Sequence, residues 1–359
     1  MKITLNTKDG FVLLKKYRSC LMGFAALNIL LFHTWCKIFE NTKLGFIEKI
    51  IKGISFYGVD IFFFLSGLGM FFSIQSHSIL RFYYQRFRRL AIPVLISALL
   101  RYVTEGWTIW QLLGNISGVN FYLKHINCFL WFIPAIMTLY LIFPIYYKFF
   151  SLSSNKTAFT MYILILWLLA SIILMDTLRI DLYALTNRIP IFCVGCLMGY
   201  LSQQRTYTFN KSIWILLVLT LILGLYLSYL TNFQNMPLLV PVPNSFMPNF
   251  LITVSLCFLI PICLELLCTL PILKLIGSAL VHFYAFFGII SLELYCIQEW
   301  LFALMSPWLF QHFNRLMVNV IFFISVTALG VVLWLIQQAV WKLGARFFSV
   351  FRKSTSVEE

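Results

Sequence analysis

The sequence contains very little charge. Charged residues make up 11% of the 359 positions, and only 12 of them are Asp or Glu, whereas 61% of the residues are hydrophobic and the mean hydropathy is +0.90. A soluble domain of this length needs far more charge to cover its surface. Several apolar runs approach the roughly 20 residues that a helix needs to cross a bilayer. The composition excludes an ordinary soluble protein and predicts an all-α, polytopic membrane helix bundle.

The chain also lacks the features of disulfide-bonded and metal-binding proteins. Most of its nine cysteines lie inside apolar runs, where a thiol acts as a small hydrophobic side chain. The pair Cys193-x-x-Cys196 has no second ligand pair, so we predict no metal. No internal repeat is visible, and the inverted repeats of many secondary transporters are therefore missing.

Polar breaks divide the apolar runs into ten predicted transmembrane helices. They cover residues 20–38, 54–73, 90–104, 129–147, 158–175, 187–203, 212–230, 248–269, 284–305 and 318–341. The third is short and could extend back through its basic start. An even number places both termini on one side, and if that side is cytoplasmic, 18 of the 27 Lys and Arg lie inside. The positive-inside rule then predicts cytoplasmic termini and a multi-pass protein of the cell (plasma or inner) membrane.

This topology defines three predicted regions. Residues 1–19 form a cytoplasmic N-terminal segment, residues 20–341 form the membrane domain, and residues 342–359 form a cytoplasmic basic tail. The net charge of +15 suits the anionic lipid of a cytoplasmic leaflet, so membrane lipid is the predicted partner and nucleic acid is not. The uncharged, proline-rich segment 231–250 is predicted to be an outer loop.

Two ionisable residues lie at similar depth in the first two predicted helices. His33 is about 8 Å below the outer boundary, and Asp60 is about 9 Å below it, at 1.5 Å per helical residue. Pairing would reduce the cost of burying their charge. A carboxylate that holds one imidazole nitrogen leaves the other free to accept a proton, as in a general base. The same pair could instead only lock two helices together, or His33 and Asp60 could never meet.

Six motifs follow one another along the chain. They read "LMGFAALNILLFHTW", "YGVDIFFFLSG", "YYQRFRRLAIP", "LWFIPAIMTLYLIFP", "RIPIFCVGCLMGY" and "GIISLELYCIQ". In these motifs and their order the chain resembles acyltransferase family 3 over about residues 17–300. The resemblance implies a ten-helix membrane enzyme that moves an acyl group from cytoplasmic acyl-CoA to an extracytoplasmic glycan. It implies that His33 is catalytic, that Asp60 supports it, and that Ser66 of the second motif has a supporting role.

The sequence departs from the family pattern at two positions. The family usually carries an arginine eleven residues before the histidine, where this chain has Met22. Arg18 lies one turn earlier, but its side chain should tilt toward the helix N-terminus, away from the level of Met22. The ninth-span motif often ends in histidine and here ends in Gln298, which cannot shuttle a proton near neutral pH.

A basic cluster lies at the cytoplasmic start of the third predicted helix. In the family's arginine motif, Arg86 and Arg89 are three residues apart and can converge on the phosphates of a CoA donor. Arg88 points about 100° away from that face. The alternative is that the cluster only anchors the topology.

Further candidate residues lie in the ninth helix and at two outer helix ends. Ser291, Tyr295 and Gln298 share one helix face, while Glu293 faces elsewhere and is either a site residue or a helix-pairing residue. Trp131 and Arg188 could contact a sugar or act as interface anchors.

Together these features predict a membrane O-acyltransferase. We expect an O-acetyltransferase that uses acetyl-CoA as donor and a cell-surface or lipid-linked glycan as acceptor, with glycan-assembly proteins as further partners. The alternatives are a transporter or flippase of glycan intermediates, and a catalytically weakened relative that acts as an assembly partner. Broken helices and internal symmetry would favour a transporter.

The predicted topology can be tested by cysteine labelling. An Asn235→Cys variant in a cysteine-free background should react with a membrane-impermeant maleimide in intact cells, since the basic asymmetry places segment 231–250 outside. Labelling that requires permeabilised cells would contradict the orientation.

Overall fold

A computed structural model describes residues 10–40, 42–124, 129–173, 182–204, 209–234, 236 and 246–355, and its regular elements are all helical. A single 3-10 turn, Ser55–Tyr57, joins the third helix to the fourth. The helices, in chain order, are α1 Gly10–Lys16, α2 Arg18–Thr34, α3 Lys43–Ile54, α4 Gly58–Ser76, α5 Ile79–Glu105, α6 Ile109–Ile116, α7 Val119–Lys124, α8 Phe132–Leu152, α9 Lys156–Ile172, α10 Tyr183–Thr186, α11 Ile189–Leu201, α12 Lys211–Phe233, α13 Phe246–Thr269, α14 Lys274–Ile289, α15 Ser291–His312 and α16 Arg315–Thr355.

Many of these helices can cross a membrane. Six helical stretches of the described chain are long and apolar enough, and a bent pair makes a seventh. Each of the ten predicted ranges overlaps a helix or the bent pair. However, α2 and α9 have 17 residues each and the 27-residue α5 is rich in arginine, so length and composition do not confirm ten spans. The expected extension of the third helix through its basic start is confirmed, since α5 begins at Ile79.

The predicted continuous helix over 284–305 is wrong. The chain breaks at Ile290, and α14 and α15 meet at an angle of 72°. The apolar run conceals this break because both halves are hydrophobic and no proline marks the bend. The break turns the first residue of α15, Ser291, toward the interior of the bundle.

Some predictions fall partly outside the described residues. In the predicted loop 231–250, α12 extends through Phe233 and α13 begins at Phe246, while position 235 and residues 237–245 are not described. Residues 1–9 and 356–359 of the two predicted terminal regions are likewise not described. The position of the termini relative to the membrane stays a prediction.

Glycines bring four helices into backbone contact. A Cβ atom on Gly67 of α4 would lie 2.0 Å from the carbonyl oxygen of Phe192 in α11, and one on Gly195 would lie 2.2 Å from that of Phe64. Between α2 and α14, Gly23 and Gly288 play the same roles, with 1.8 Å to Tyr284 O and 2.0 Å to Ser19 O. Small residues at membrane helix interfaces let backbones approach in this way. The helix pairs α2–α14 and α4–α11 therefore form the tightly packed frame of the bundle.

The segment after α2 is held by side chains from two other helices. The Glu48 carboxylate accepts hydrogen bonds from Trp35 Nε1 and from the backbone N–H of Ile38 and Phe39, at 2.8–2.9 Å. Asn319 of α16 exchanges two hydrogen bonds of 2.8 Å with the backbone of Cys36. These contacts hold residues 35–39 close to the end of α2, where His33 lies.

We expect the frame to be intolerant of a single methyl group. Gly195→Ala places a Cβ against backbone atoms of α4 that cannot move aside, so it should destabilise the protein by about 1–3 kcal/mol. Thermal unfolding of the purified protein in detergent measures the effect. The matched control is Gly344→Ala in α16, where nothing lies within 4 Å of the new Cβ and helix propensity should give neutral or slightly raised stability. Equal melting temperatures for both variants would contradict the close contact.

Candidate active site

A cavity of about 790 Å³ is lined by α1, α2, α4, α5, α8 and α15. Its wall includes Lys15 and Ile29, which are about 21 Å apart along the helical rise of α1 and α2. On α4 the wall runs from Val59 to Ser76, about 25 Å. The cavity is therefore elongated along the helix axes.

The two ends of the cavity differ in chemistry. One end is basic and polar, with Lys15, Arg18, Arg86, Ser76 and His77 in its wall. The other end is apolar and is lined by Ile29, Val59, Phe62, Phe132 and Leu292. The basic end is the one that the sequence predicts to face the cytoplasm. Such a cavity suits an elongated molecule with an anionic head and a less polar arm.

Hydroxyl groups line the middle of the cavity. The hydroxyls of Ser66 and Tyr140 are 3.4 Å apart across α4 and α8. Ser291 and Tyr295 also line the cavity, which confirms that they share one face of α15. The Tyr295 hydroxyl accepts a hydrogen bond from the Phe132 backbone N–H at 3.2 Å. Gln298, predicted on the same face, is buried outside the cavity wall, and its Nε2 atom has no partner among the described residues.

His33 is paired with a glutamate, and the predicted contact with Asp60 is wrong. His33 Nδ1 lies 3.0 Å from Glu299 Oε1, and the other oxygen of Glu299 lies 4.0 Å from Arg101 Nη2. Arg101 also pairs with Glu105, one turn further along α5, at 3.2 Å. Sequence analysis missed Glu299, although an ionisable residue inside an apolar helix is a default site candidate. His33 lies one turn, about 6 Å of helix axis, beyond the cavity residue Ile29.

Asp60 is bound by Arg188 instead. Arg188 Nε lies 3.3 Å from Asp60 Oδ1, and both side chains are buried. The guanidinium also lies over the Trp131 ring, with 5.3 Å between Cζ and the ring centroid. Trp131 and Arg188, predicted separately as sugar contacts or interface anchors, are therefore parts of one cluster with Asp60.

The spacing along α4 and α11 explains why Asp60 meets Arg188. Asp60 precedes Gly67 by seven residues, and Arg188 precedes Gly195 by seven. Seven residues are two helical turns, so each charged residue lies on the same face as its glycine. Since the two glycines bring the helices into contact, the two charges two turns away must also meet. Matched seven-residue spacing was the sequence signal for this pair.

Arg86 and Arg89 both line the cavity but have different partners. Arg89 contacts both carboxylate oxygens of the fully buried Glu293, at 3.1 and 3.3 Å, and Gln337 Oε1 at 3.4 Å. Burying a carboxylate without a counter-charge costs free energy, and the guanidinium of Arg89 neutralises the charge of Glu293. Arg86 lies in the cavity wall against Tyr140, with 5.8 Å between Cζ and the ring centroid. Arg88 lies over Trp341 outside the cavity wall, as its predicted direction requires.

The fold and the cavity define a class of protein. Apolar helices of membrane length surround an elongated cavity that is basic at one end and ends near a histidine, which describes a multi-pass membrane protein with an enzyme-like site. The chain belongs to the acyltransferase 3 family, whose acyltransferase domain model matches residues 20–336. No curated protein and no solved structure matches the chain. The protein is thus a membrane acyltransferase.

The Asp60–Arg188 pair predicts a stability effect. Asp60→Asn leaves the Arg188 guanidinium buried without a counter-charge and should destabilise the protein by about 3–5 kcal/mol. The double variant Asp60→Asn with Arg188→Gln removes both charges and should recover most of this loss. Melting temperatures in detergent measure both effects. An Asp60→Asn protein as stable as the wild type would contradict a structural role for the ion pair.

Proposed function

We propose that the protein is an O-acyltransferase of the cell membrane that moves an acyl group from cytoplasmic acyl-CoA to a glycan hydroxyl on the outer side. The observation that carries the proposal is the single cavity joining a basic end to a point one turn from His33. Family membership supports acyl transfer in general. Acetyl-CoA is the donor that we expect, and a cell-surface or lipid-linked glycan is the acceptor.

The cavity supports a CoA thioester as the donor. Arginine binds phosphate oxygens bidentately, and Arg86 presents its charge at the basic end. The less polar arm of the donor then follows α2 and α4 past the hydroxyls of Ser66 and Tyr140. This path carries the thioester toward Ile29 and so toward His33.

His33 and Glu299 support general-base catalysis. In the contact with Glu299, His33 Nδ1 donates its proton to Oε1, which leaves Nε2 free to accept a proton from the acceptor hydroxyl. The deprotonated oxygen attacks the thioester carbonyl and forms the new ester bond. The carbon–sulfur bond breaks, and the departing CoA sulfur takes the proton from His33 Nε2. The His33 side chain is 29% exposed and that of Glu299 is 51% exposed, so an acceptor can approach them.

The bend at Ile290 is the observation that favours a second function, a transporter of glycan intermediates. Discontinuous helices carry substrate sites in many transporters. The bend also positions Ser291 on the cavity wall, a role that an enzyme can use equally. Acyl-transfer activity distinguishes the two functions.

We expect His33→Ala to abolish acyl transfer while the protein still inserts and accumulates. Loss of a general base costs about 10²–10⁴-fold in rate. Glu299→Gln keeps a hydrogen-bond acceptor for Nδ1 but removes the charge that stabilises the imidazolium, so its kcat should fall by a smaller factor at nearly unchanged KM for the donor. The measurement is acyl transfer from labelled acetyl-CoA in membranes, with mass spectrometry of the surface glycans.

The control for Glu299→Gln is Glu40→Gln. Glu40 is an exposed glutamate that pairs with Arg315, does not contact His33 and does not line the cavity, and its loss should leave transfer unchanged. Wild-type acylation by a well-expressed His33→Ala protein would rule out the general-base role. Equal activity of Glu299→Gln and wild type would remove Glu299 from the mechanism.

A further inference from the structure

The basic end of the cavity contains cations without carboxylate partners. Lys15, Arg18 and Arg86 line it, and none lies within 4.0 Å of a carboxylate oxygen among the residues that the structure describes. Both guanidinium groups lie at one level of α4, since Arg18 Nη2 lies over Gly69 and Arg86 Nε lies 3.2 Å from Sδ of the next residue, Met70. Arg18 is exposed and Arg86 is partly buried, and both line the cavity, so an anion inside it can reach both guanidinium groups.

Three other arginines of the bundle contrast with this pair. Arg89 is neutralised by Glu293, Arg188 by Asp60, and Arg101 by Glu105 and Glu299. Lys16, two residues from Arg18, pairs with Glu265 outside the cavity wall. Arg89, Arg101 and Arg188 thus have carboxylate partners, whereas Arg18 and Arg86 have none among the described residues.

Gly69 gives Arg18 room to reach the cavity. A Cβ on this α4 glycine would lie 3.3 Å from Arg18 Nη2, so the guanidinium lies directly over the glycine. Side chains on a helix tilt toward its N-terminus, which for Arg18 is the direction of Lys15. Met22, one turn further into the bundle, presents an apolar side chain to the next part of the cavity. The Ser73 hydroxyl, also in the wall, is buried without a partner in the described structure.

We propose that Arg18 and Arg86, with Lys15 at the rim, bind the phosphate groups of the CoA donor, and that Arg18 rather than Arg89 is the second arginine of this site. The proposal rests on the proposed function, which supplies the acyl-CoA donor. It assigns the phosphates to the level of Arg18 and leaves the level of Met22 to the uncharged arm of the donor. Arg89 also lines the cavity, but it is paired with Glu293 and Gln337, and the proposal makes it a structural residue that joins α5 to α15 and α16.

The test is isothermal titration calorimetry, in which coenzyme A is titrated into the purified full-length protein in detergent. Arg18→Gln and Arg86→Gln should each weaken coenzyme A binding by about ten- to a hundredfold, as expected for the loss of a charge-assisted contact to phosphate. Arg88→Gln is the matched control, because it removes one positive charge from the same region without touching the cavity, and its affinity should stay within about twofold of wild type.

Two further measurements distinguish the loss of a phosphate contact from misfolding of a variant. Arg18→Lys keeps the charge and should bind coenzyme A with an affinity between those of wild type and Arg18→Gln. Raising the salt concentration should weaken wild-type binding more steeply than binding by Arg18→Gln, because the wild type has one more phosphate contact to screen.

The outcomes separate this proposal from the proposed function. Wild-type binding with equal affinity in Arg18→Gln, and a loss confined to Arg86→Gln, would overturn the role of Arg18 and leave the acyl-CoA donor intact. A wild-type protein that binds neither coenzyme A nor inorganic pyrophosphate would overturn both. Equal small losses in Arg18→Gln, Arg86→Gln and Arg88→Gln would show only a general effect of net charge and would also overturn the assignment.

Discussion

The close approach of helices at glycine is the constraint on which the rest of the structure depends. Gly23 and Gly288 bring α2 against α14, and Gly67 and Gly195 bring α4 against α11. At the start of α4, a Cβ atom on Gly58 would lie 2.5 Å from the Ala25 carbonyl oxygen in α2. The order α14–α2–α4–α11 follows from these contacts. Because α2 and α4 supply much of the cavity wall and α2 carries His33, the same contacts position the site.

Charged side chains inside this frame lie in pairs of opposite sign. Inside an apolar bundle, each carboxylate needs a cation, and the described carboxylates of α4 and α15 have one: Arg188 for Asp60, Arg89 for Glu293, and His33 with Arg101 for Glu299. These pairs connect α4 to α11, α5 to α15, and α2 to α15. Arg18 and Arg86 have no carboxylate partner among the described residues, which is the basis of the proposed phosphate site.

The two departures from the family pattern become understandable in this arrangement. Met22 lines the cavity without charge, and Arg18 lies over Gly69 one turn nearer the basic end. The residue after Gln298, Glu299, is the carboxylate that contacts His33, where the resemblance implies Asp60. The proposed role of Arg18 moves the missing positive charge by one turn of helix.

Much of the fold could be predicted from the sequence, whereas the contacts between charged groups could not. Apolar run length predicts helices, since every backbone polar group in lipid must be satisfied within its own segment, and the six motifs predict the family. The bend at Ile290 could not be predicted, because hydropathy indicates which residues lie in lipid but not the direction of the backbone. Depth along the helix predicted that His33 and Asp60 lie at one level, but depth is a single coordinate. Which carboxylate meets His33 depends on the rotation of each helix and on its neighbours, and these follow from glycine contacts between segments more than a hundred residues apart, as for Gly67 and Gly195. The sequence by itself determined the helices, their order and the presence of intramembrane charges. Only the tertiary packing decided which of these charges neutralise each other, because pairing depends on how the helices are rotated and which helices are neighbours.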